Sequence, residues 1–287
     1  MRFSIVTPSF RSGKWLRSCI PSVADQGSDV LLEHIVQDAC SDDETAAFLP
    51  GDSRVTAIIE KDRGMYDAVN RGYRRAKGEF LAYLNCDEQY LPGALKKVAK
   101  FFDAHPTVDV VFADTLVVGK TGEYVCYRRA IPPRIAQSWI GNSLNILTAA
   151  TFVRRGVFHQ RGLWFDETLK DIADVVWVRE VLRARVEMAV LRDFTSVFTD
   201  TGDNMNLKPN AQREKAELLA SAPAWMRAGR PLILAHNRLR RIWHGAYRCT
   251  PHDYAIYTAE NPAKRTTFQA PAPTPRWVHR ELNDPAS

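Results

Sequence analysis

The stretch "GEFLAYLNCDEQYLPGAL", residues 78–95, carries the fold's central question. An apolar run from Phe80 to Leu84 stops at Asn85, Cys86, Asp87 and Glu88, then Pro92 precedes a helix-like segment. A run this short between turn signals reads as a buried strand. Its two adjacent carboxylates have two readings: polar residues meeting water at a strand end, or a strand tip holding a metal ion. The spacing alone leaves both open.

Working outward, the same rhythm recurs. "FSIVTP" reads as a first strand, followed by an amphipathic segment from Lys14 to Ala24. "EHIVQD" is a second strand and "DDETAAFL" a short helix; "VTAIIEK" is a third strand. "MYDAVNRGYRRAKG" sets Met65, Val69 and Tyr73 at helical spacing and closes on Gly78 as a cap. "EFLAYLN" is the fourth strand, and "GALKKVAKFFDAH" a helix stopped by Pro106. "VDVVFADTLVV" is a fifth strand, turning through residues 120–122 into "YVCYRR". Such alternation predicts an α/β fold on a mainly parallel sheet with right-handed crossovers.

Residues 132–162 are less regular, with "AATFVRRGVFHQRG" reading as a strand running into a helix. "LWFDETLKDIADVVWVREVLRA" gives a loop and then a helix with Val175, Val178, Val181 and Leu182 on one face. After Asn206 the character changes. A helix over 212–220 precedes a basic amphipathic one in "PLILAHNRLRRIWHGAYR" and a proline-rich extended tail with one short strand, "YAIYT". The expected division is a catalytic unit over 1–204 and a helical extension with its tail over 205–287.

The chain has 287 residues, 45% of them hydrophobic, ample for a large core. No apolar run approaches the ~18 residues of a membrane span. The N-terminal stretch reads as a strand and not as a signal peptide. Five cysteines, Cys19, Cys40, Cys86, Cys126 and Cys249, are scattered without a C-x-x-C pair, which argues against a zinc site or disulfide framework and fits a reducing cytoplasm. Net charge is +6, yet residues 205–287 carry 13 Lys/Arg against 6 Asp/Glu, or +7, so the rest is close to neutral. That asymmetry predicts a basic extension facing something acidic: nucleic acid, an anionic membrane or an acidic partner.

Ligands of open α/β sheets bind beyond the carboxyl ends of the strands. Here those ends are Thr7-Pro8-Ser9, Asp38, Lys61-Asp62 and Asn85-Cys86-Asp87-Glu88. No glycine-rich phosphate loop is present. A diphosphate held by carboxylates needs an intervening cation, and Asp87 and Glu88 offer hard oxygen ligands suited to Mg2+ or Mn2+.

"FSIVTPSF", "HIVQDACSDDET", "EKDRGMYDAVNRGYRRAKGEFLAYLNCDEQYLPGAL" and "WFDETLKDIADVVWVREVL" together resemble glycosyltransferase family 2, in the flavour that builds bacterial exopolysaccharide and O-antigen. The resemblance covers roughly residues 1–204. It implies the GT-A fold and inverting transfer from a nucleotide-diphosphate sugar to a glycan or lipid-linked acceptor. It assigns Thr7, Pro8 and Ser9 to the loop packing on the nucleoside, and Asp38 to the base ring. Asp62, Asp67 and Asn70 fall in the signature bounding the donor. Asn85-Cys86-Asp87 occupies the D-x-D position, with Asp87 as the metal-binding carboxylate and Glu88 in place of a frequent aspartate. Asp174 matches the catalytic base, with Asp171 one turn earlier as runner-up. The family's His-Gln pair has no counterpart at Thr148-Ala149, which leaves acceptor recognition unassigned. Cys86 is expected to line the site without catalysing.

Two rivals stand beside this reading. A nucleic-acid-binding protein would need base-stacking aromatics interleaved with the basic charge, whereas Trp243 and Tyr247 sit at core-like spacing with Leu239. A catalytically inactive GT-A-fold glycan-binding or scaffold protein is the other. Leu232, Ala235, Leu239, Ile242, Trp243 and Ala246 form one apolar stripe flanked by Arg238, Arg240 and Arg241. That helix either packs on the catalytic unit or meets an anionic membrane. The expected location is cytoplasmic, peripheral on the inner membrane face in the second case.

Overall fold

The computed structural model describes residues 2–140, 144–202 and 208–277; the boundary expected at 204/205 lies outside them. The first half alternates as the sequence predicts: β1 (Phe3–Ser9), α1 (Gly13–Ala24), β2 (Leu32–Asp38), α2 (Thr45–Phe48), β3 (Thr56–Ile59), α3 (Met65–Arg75), β4 (Phe80–Tyr83). There follow β5 (Gln89–Tyr90), α4 (Ala94–Ala104), β6 (Val110–Val118), β7 (Tyr124–Arg128), α5 (Ile135–Ser138), β8 (Thr151–Arg154), α6 (Gly156–His159) and α7 (Ala173–Arg183). The chain continues with β9 (Met188–Thr199), α8 (Pro209–Ala220), α9 (Ala224–Ala228), α10 (Arg230–Trp243), β10 (His252–Ile256) and β11 (Thr266–Ala270).

Nine strands form one mixed sheet in the order β3-β2-β1-β4-β8-β6-β9-β5, with β7 hydrogen-bonded to β6. Strands β1 to β4 run parallel, as do β6 and β9; β8, β5 and β7 run antiparallel to their neighbours. The opening stretch lies at the centre, β4 pairing with β1 on one side and β8 on the other. Its residues alternate between the sheet's two faces. Phe80, Ala82 and Leu84 join Phe3, Leu16 and Phe102 on one, while Leu81 and Tyr83 join Val6, Tyr73 and Trp177 on the other. Both faces are covered by helices, so a continuous apolar run is what such a strand requires. α3 lies close on β1: a Cβ at Gly72 would fall 2.5 Å from the Val6 side chain, so only glycine fits there.

Three elements depart from expectation. The 12-residue strand β9 was not read from "MAVLRDFTSVFT", because Arg192 and Asp193 break its apolar pattern. The register of β6 against β9 shifts at Asp114, and the charges are satisfied locally: Arg192 pairs with Asp114, and Lys97 with Asp193. The tail expected to be extended instead folds back as an antiparallel hairpin of β10 and β11. Tyr254 and Ile256 pack on Leu116, Val118 and Tyr127, while Arg265 clamps Asp25 and the Tyr90 carbonyl. Finally, Leu239 and Trp243, read at core-like spacing, point into solvent; the buried side of α10 carries Asn237 and Arg240.

Candidate functional site

The carboxyl ends of β1, β2, β3 and β4 open onto a cleft of about 1250 Å3, room for a ligand larger than most drug-sized molecules. Pro8, Ser9, Asp62, Asn85, Cys86 and Asp87 line it from the strand tips; Asp174 on α7 and Asp171 before it line it as well, with Lys208, Gln212 and Lys215 from the start of α8 and its approach. The turn feeding α3 is fixed by Gly64, whose φ of 129° admits only glycine comfortably, and whose N–H is accepted by Asp62 Oδ1 at 2.9 Å. Burial raises the Asp62 carboxyl above its ordinary range.

Several residues expected in the site lie behind this wall. Thr7 is buried, its hydroxyl paired with His34 Nε2 at 2.9 Å. Asp38 is buried beneath Ser9; its carboxylate accepts the Ser9 hydroxyl and both the N–H and hydroxyl of Ser41. Asp67 is buried and clamped by Arg71 and Arg63. Burial works to raise its carboxyl, but the two guanidiniums outweigh it and pull it to about 2. Asn70 donates to the Phe165 carbonyl and to Glu167, tying α3 to the loop before α7. Asp67, which accepts the Arg63 N–H at 2.8 Å, therefore braces the turn that carries Asp62. Cys86 donates to the Pro8 carbonyl, and burial pushes its thiol up to about 12, so it stays protonated and inert as a nucleophile.

Asp87 and Glu88 part company at the β4 tip. Asp87 faces the cleft, whereas Glu88 is fully buried, its Oε2 accepting the Asn85 N–H at 2.8 Å and its Oε1 without a partner among the described residues. Burial raises both carboxyls, and the Asp87 charge adds to the effect on Glu88. Among the described residues no three His, Cys, Asp or Glu side chains gather at one point. A single carboxylate offered to an open cleft nonetheless suits Mg2+ or Mn2+, which take their remaining ligands from phosphate oxygens and water. Asp87 would hold such an ion, and Glu88 fixes the Asn85 N–H behind it.

Asp174 occupies the first turn of α7. Burial raises its carboxyl; the Val175 N–H, the Tyr66 hydroxyl and the Lys215 charge oppose this. The turn before it is held from α8, where the buried Glu214 accepts the N–H groups of Lys170, Asp171 and Ile172 at 2.9, 3.0 and 3.2 Å. Asp171 itself accepts from Asn210. Tyr66, Glu214, Lys215 and the cleft-lining Arg128 were not singled out in the sequence. Tyr66 sits in the first turn of the singled-out α3 segment, next to Asp67, and is its one member that reaches Asp174. Arg128 and the α8 residues lie in segments with no distinguishing spacing. Burial and the nearby Arg241 lower the Arg128 guanidinium, a cation held in the cleft wall at electrostatic cost.

The model of the family described as "Glycosyl transferase family 2" matches residues 4–162, more than half of the chain. A PGL/p-HBAD biosynthesis glycosyltransferase of Mycobacterium tuberculosis is 33% identical over 121 residues, 40% of this chain and 47% of that protein. The poly(ribitol-phosphate) beta-N-acetylglucosaminyltransferase TarS of Staphylococcus aureus is 24% identical over 201 residues, 67% of this chain and 34% of that protein. The chain thus matches less than half the length of either relative. The structure of TarS residues 1–349 in complex with UDP-GlcNAc superposes with a TM-score of 0.56 at 22% identity, covering 85% of this chain and 73% of that one. The mannosyltransferase PcManGT of Pyrobaculum calidifontis, in complex with GDP-Man and Mn2+, gives 0.55 at 15% identity, covering 86% and 76%. These neighbours share the GT-A architecture that the sheet order and helical layers display here. By its sequence and by the fold built on it, the chain belongs to glycosyl transferase family 2.

Proposed function

We propose that this chain is an inverting glycosyltransferase of bacterial surface-polysaccharide synthesis. It moves a sugar from a nucleotide-diphosphate donor to a hydroxyl of a glycan or lipid-linked acceptor. The observation that carries the reading is one cleft lined both by the β-strand tips and by Asp174, which is hydrogen-bonded by Tyr66.

In this reading the donor lies along the strand tips, over Pro8 and Ser9, with its diphosphate toward Asn85 and Asp87. Asp174 takes the proton of the acceptor hydroxyl, whose oxygen attacks the anomeric carbon from the face opposite the nucleotide. The bond from that carbon to the diphosphate oxygen breaks, and the nucleoside diphosphate leaves. A carboxyl raised by burial is the stronger base near neutral pH. A divalent cation, when bound, supplies charge neutralisation to the diphosphate, and Asp87 is the residue that would hold it. Arg128 and Lys215 add fixed positive charge to the same cleft. A donor of this kind places the reaction in the cytoplasm, and a lipid-linked acceptor places it at the inner membrane face.

The test is turnover of UDP-, GDP- and dTDP-sugars with and without Mn2+, together with thermal shift by the matching nucleotide diphosphates. Hydrolysis or transfer from one donor is expected, with a Mn2+-dependent rise in melting temperature that Asp87→Ala abolishes. An unchanged rise in that variant moves the cation elsewhere. Donor binding without turnover under all conditions favours the inactive glycan-binding reading.

A further inference from the structure

Helix α10 docks on the protein with its polar side. Asn237 Oδ1 accepts Gln137 Nε2 at 2.8 Å and Asn145 Nδ2 at 3.2 Å, and the buried Arg240 donates to Gln137 and to the Pro132 carbonyl. Ile233 adds an apolar contact to the cluster of Trp139, Ile172, Leu218 and Met226. The opposite side faces water: Leu232 is 76% exposed, Leu239 65%, Ile242 64% and Trp243 88%. This is the apolar stripe read from the sequence, turned outward except at its last member, the buried Ala246. Trp225, on the adjoining α9, is 64% exposed as well. Leaving several large side chains in solvent forfeits their transfer free energy, and grouped exposure of this kind marks an interaction surface.

The charge around the stripe decides what it meets. From residue 218 to residue 252 the chain has six arginines, Arg227, Arg230, Arg238, Arg240, Arg241 and Arg248, and no Asp or Glu. All but Arg240 reach the surface at least in part. A second copy of the chain would oppose cation to cation across such a face, which disfavours self-association. A helix with an apolar face and an arginine-rich surround fits the boundary of an anionic bilayer, where apolar side chains enter the acyl edge and guanidiniums meet phosphates. Asn145, which ties α10 down, is the neighbour of the cleft-lining Leu144 and Ile146. Ile172, in the apolar contact, stands two residues before Asp174.

We propose that the exposed Leu232, Leu239, Ile242 and Trp243 face of α10 seats this protein on an anionic lipid surface, with the Asp174 wall of the cleft held near the bilayer. The proposal deepens the lipid-linked-acceptor reading and takes its purpose from it, but the binding itself needs neither donor nor acceptor.

The experiment is co-sedimentation of the full chain with vesicles of phosphatidylcholine alone and of phosphatidylcholine with phosphatidylglycerol, at low and high salt, beside donor turnover in solution. Association with the anionic vesicles alone is expected, weakened by salt. Replacing both Leu239 and Trp243 by Ser should weaken it roughly a hundredfold, and Arg238→Gln with Arg230→Gln roughly tenfold or more. These side chains lie outside the cleft, so turnover of a soluble donor stays at the wild-type level. Equal binding to neutral vesicles, indifference to the Leu239 and Trp243 changes, or no binding at all overturns the proposal. A concentration-dependent dimer lost with Trp243→Ser overturns it in favour of a second copy. A chain that turns over donor but ignores vesicles defeats the docking alone, and one that binds vesicles without turnover defeats the transfer reading alone.

Discussion

The Tyr66 hydroxyl donates a hydrogen bond to Asp174 Oδ1 at 3.1 Å, across 108 residues of sequence. It joins the first turn of α3, which follows the turn at Gly64, to the first turn of α7. The contact stabilises the charged carboxylate against the burial that raises it. Removing it leaves Asp174 protonated to a higher pH. Tyr66→Phe should therefore move the acid limb of the transfer rate upward by about one pH unit. The rate falls on the acid limb, where Asp174 titrates, and changes little on the alkaline plateau. A variant slowed equally at every pH assigns Tyr66 to packing alone.

Asp174→Asn is nearly isosteric and removes the proton acceptor. Transfer should drop by ~10²–10⁴-fold with donor binding intact. Stability moves the other way. The folded carboxyl titrates above the unfolded one, so wild-type stability is full below the unfolded value and declines as pH rises through the folded value. Asn carries no such loss. The melting temperature of Asp174→Asn should thus match or trail wild type below the ordinary carboxyl range and gain on it as pH rises through the raised folded value. Transfer within threefold of wild type would shift the base to Asp171.

Glu214 tests whether the C-terminal helices belong to the chemistry. Its carboxylate accepts three successive backbone N–H groups, from Lys170 to Ile172. Glu214→Ala orphans them at a cost of about 2–4 kcal/mol, which for a chain of this size lowers the melting temperature by roughly 5–15 °C. Because the loop leads into Asp174, kcat should fall while the donor KM stays near wild type. Glu214→Gln keeps one acceptor and should restore part of both. Equal loss in kcat and donor affinity would mean that the whole cleft has loosened.

The parts of this molecule that the sequence made legible share one property: their signal is local. β1 to β4 are short apolar runs ending in polar tips, and α3, α4 and α7 have clean helical periodicity, so strand–helix alternation follows directly. Asp62, Asp87 and Asp174 stand at element ends, where side chains reach a cleft. What stayed hidden is set by contacts between distant segments. β9 tolerates Arg192 and Asp193 only because Asp114 and Lys97 wait for them. Glu88 reads like Asp87, and only the Asn85 N–H behind the strand tip shows which of the two turns inward. The side of α10 that docks is chosen by Gln137, Asn145 and the Pro132 carbonyl, a polar match that periodicity cannot express.

His34 supplies the last prediction. It lies on β2 beneath the β1 tip, its Nε2 paired with the Thr7 hydroxyl and its Nδ1 buried without a partner among the described residues. Burial pushes its imidazole down from 6.5 to about 3, and the nearby Asp52 only partly opposes this. The sign follows from proton counting. Below its ordinary value the unfolded chain takes up a proton that the native chain refuses, so the stability His34 allows is present above pH 6.5 and is lost as pH falls toward 3. One such proton gives a slope of about 1.4 kcal/mol per pH unit. Urea unfolding at pH 7, 6, 5 and 4 should show wild type losing stability faster than His34→Asn by that slope, whatever the variant's stability at pH 7. Parallel pH profiles would mean that the native state opens to protonate His34. The Thr7–His34 contact would then be a loose joint under the β1 tip and not a fixed one.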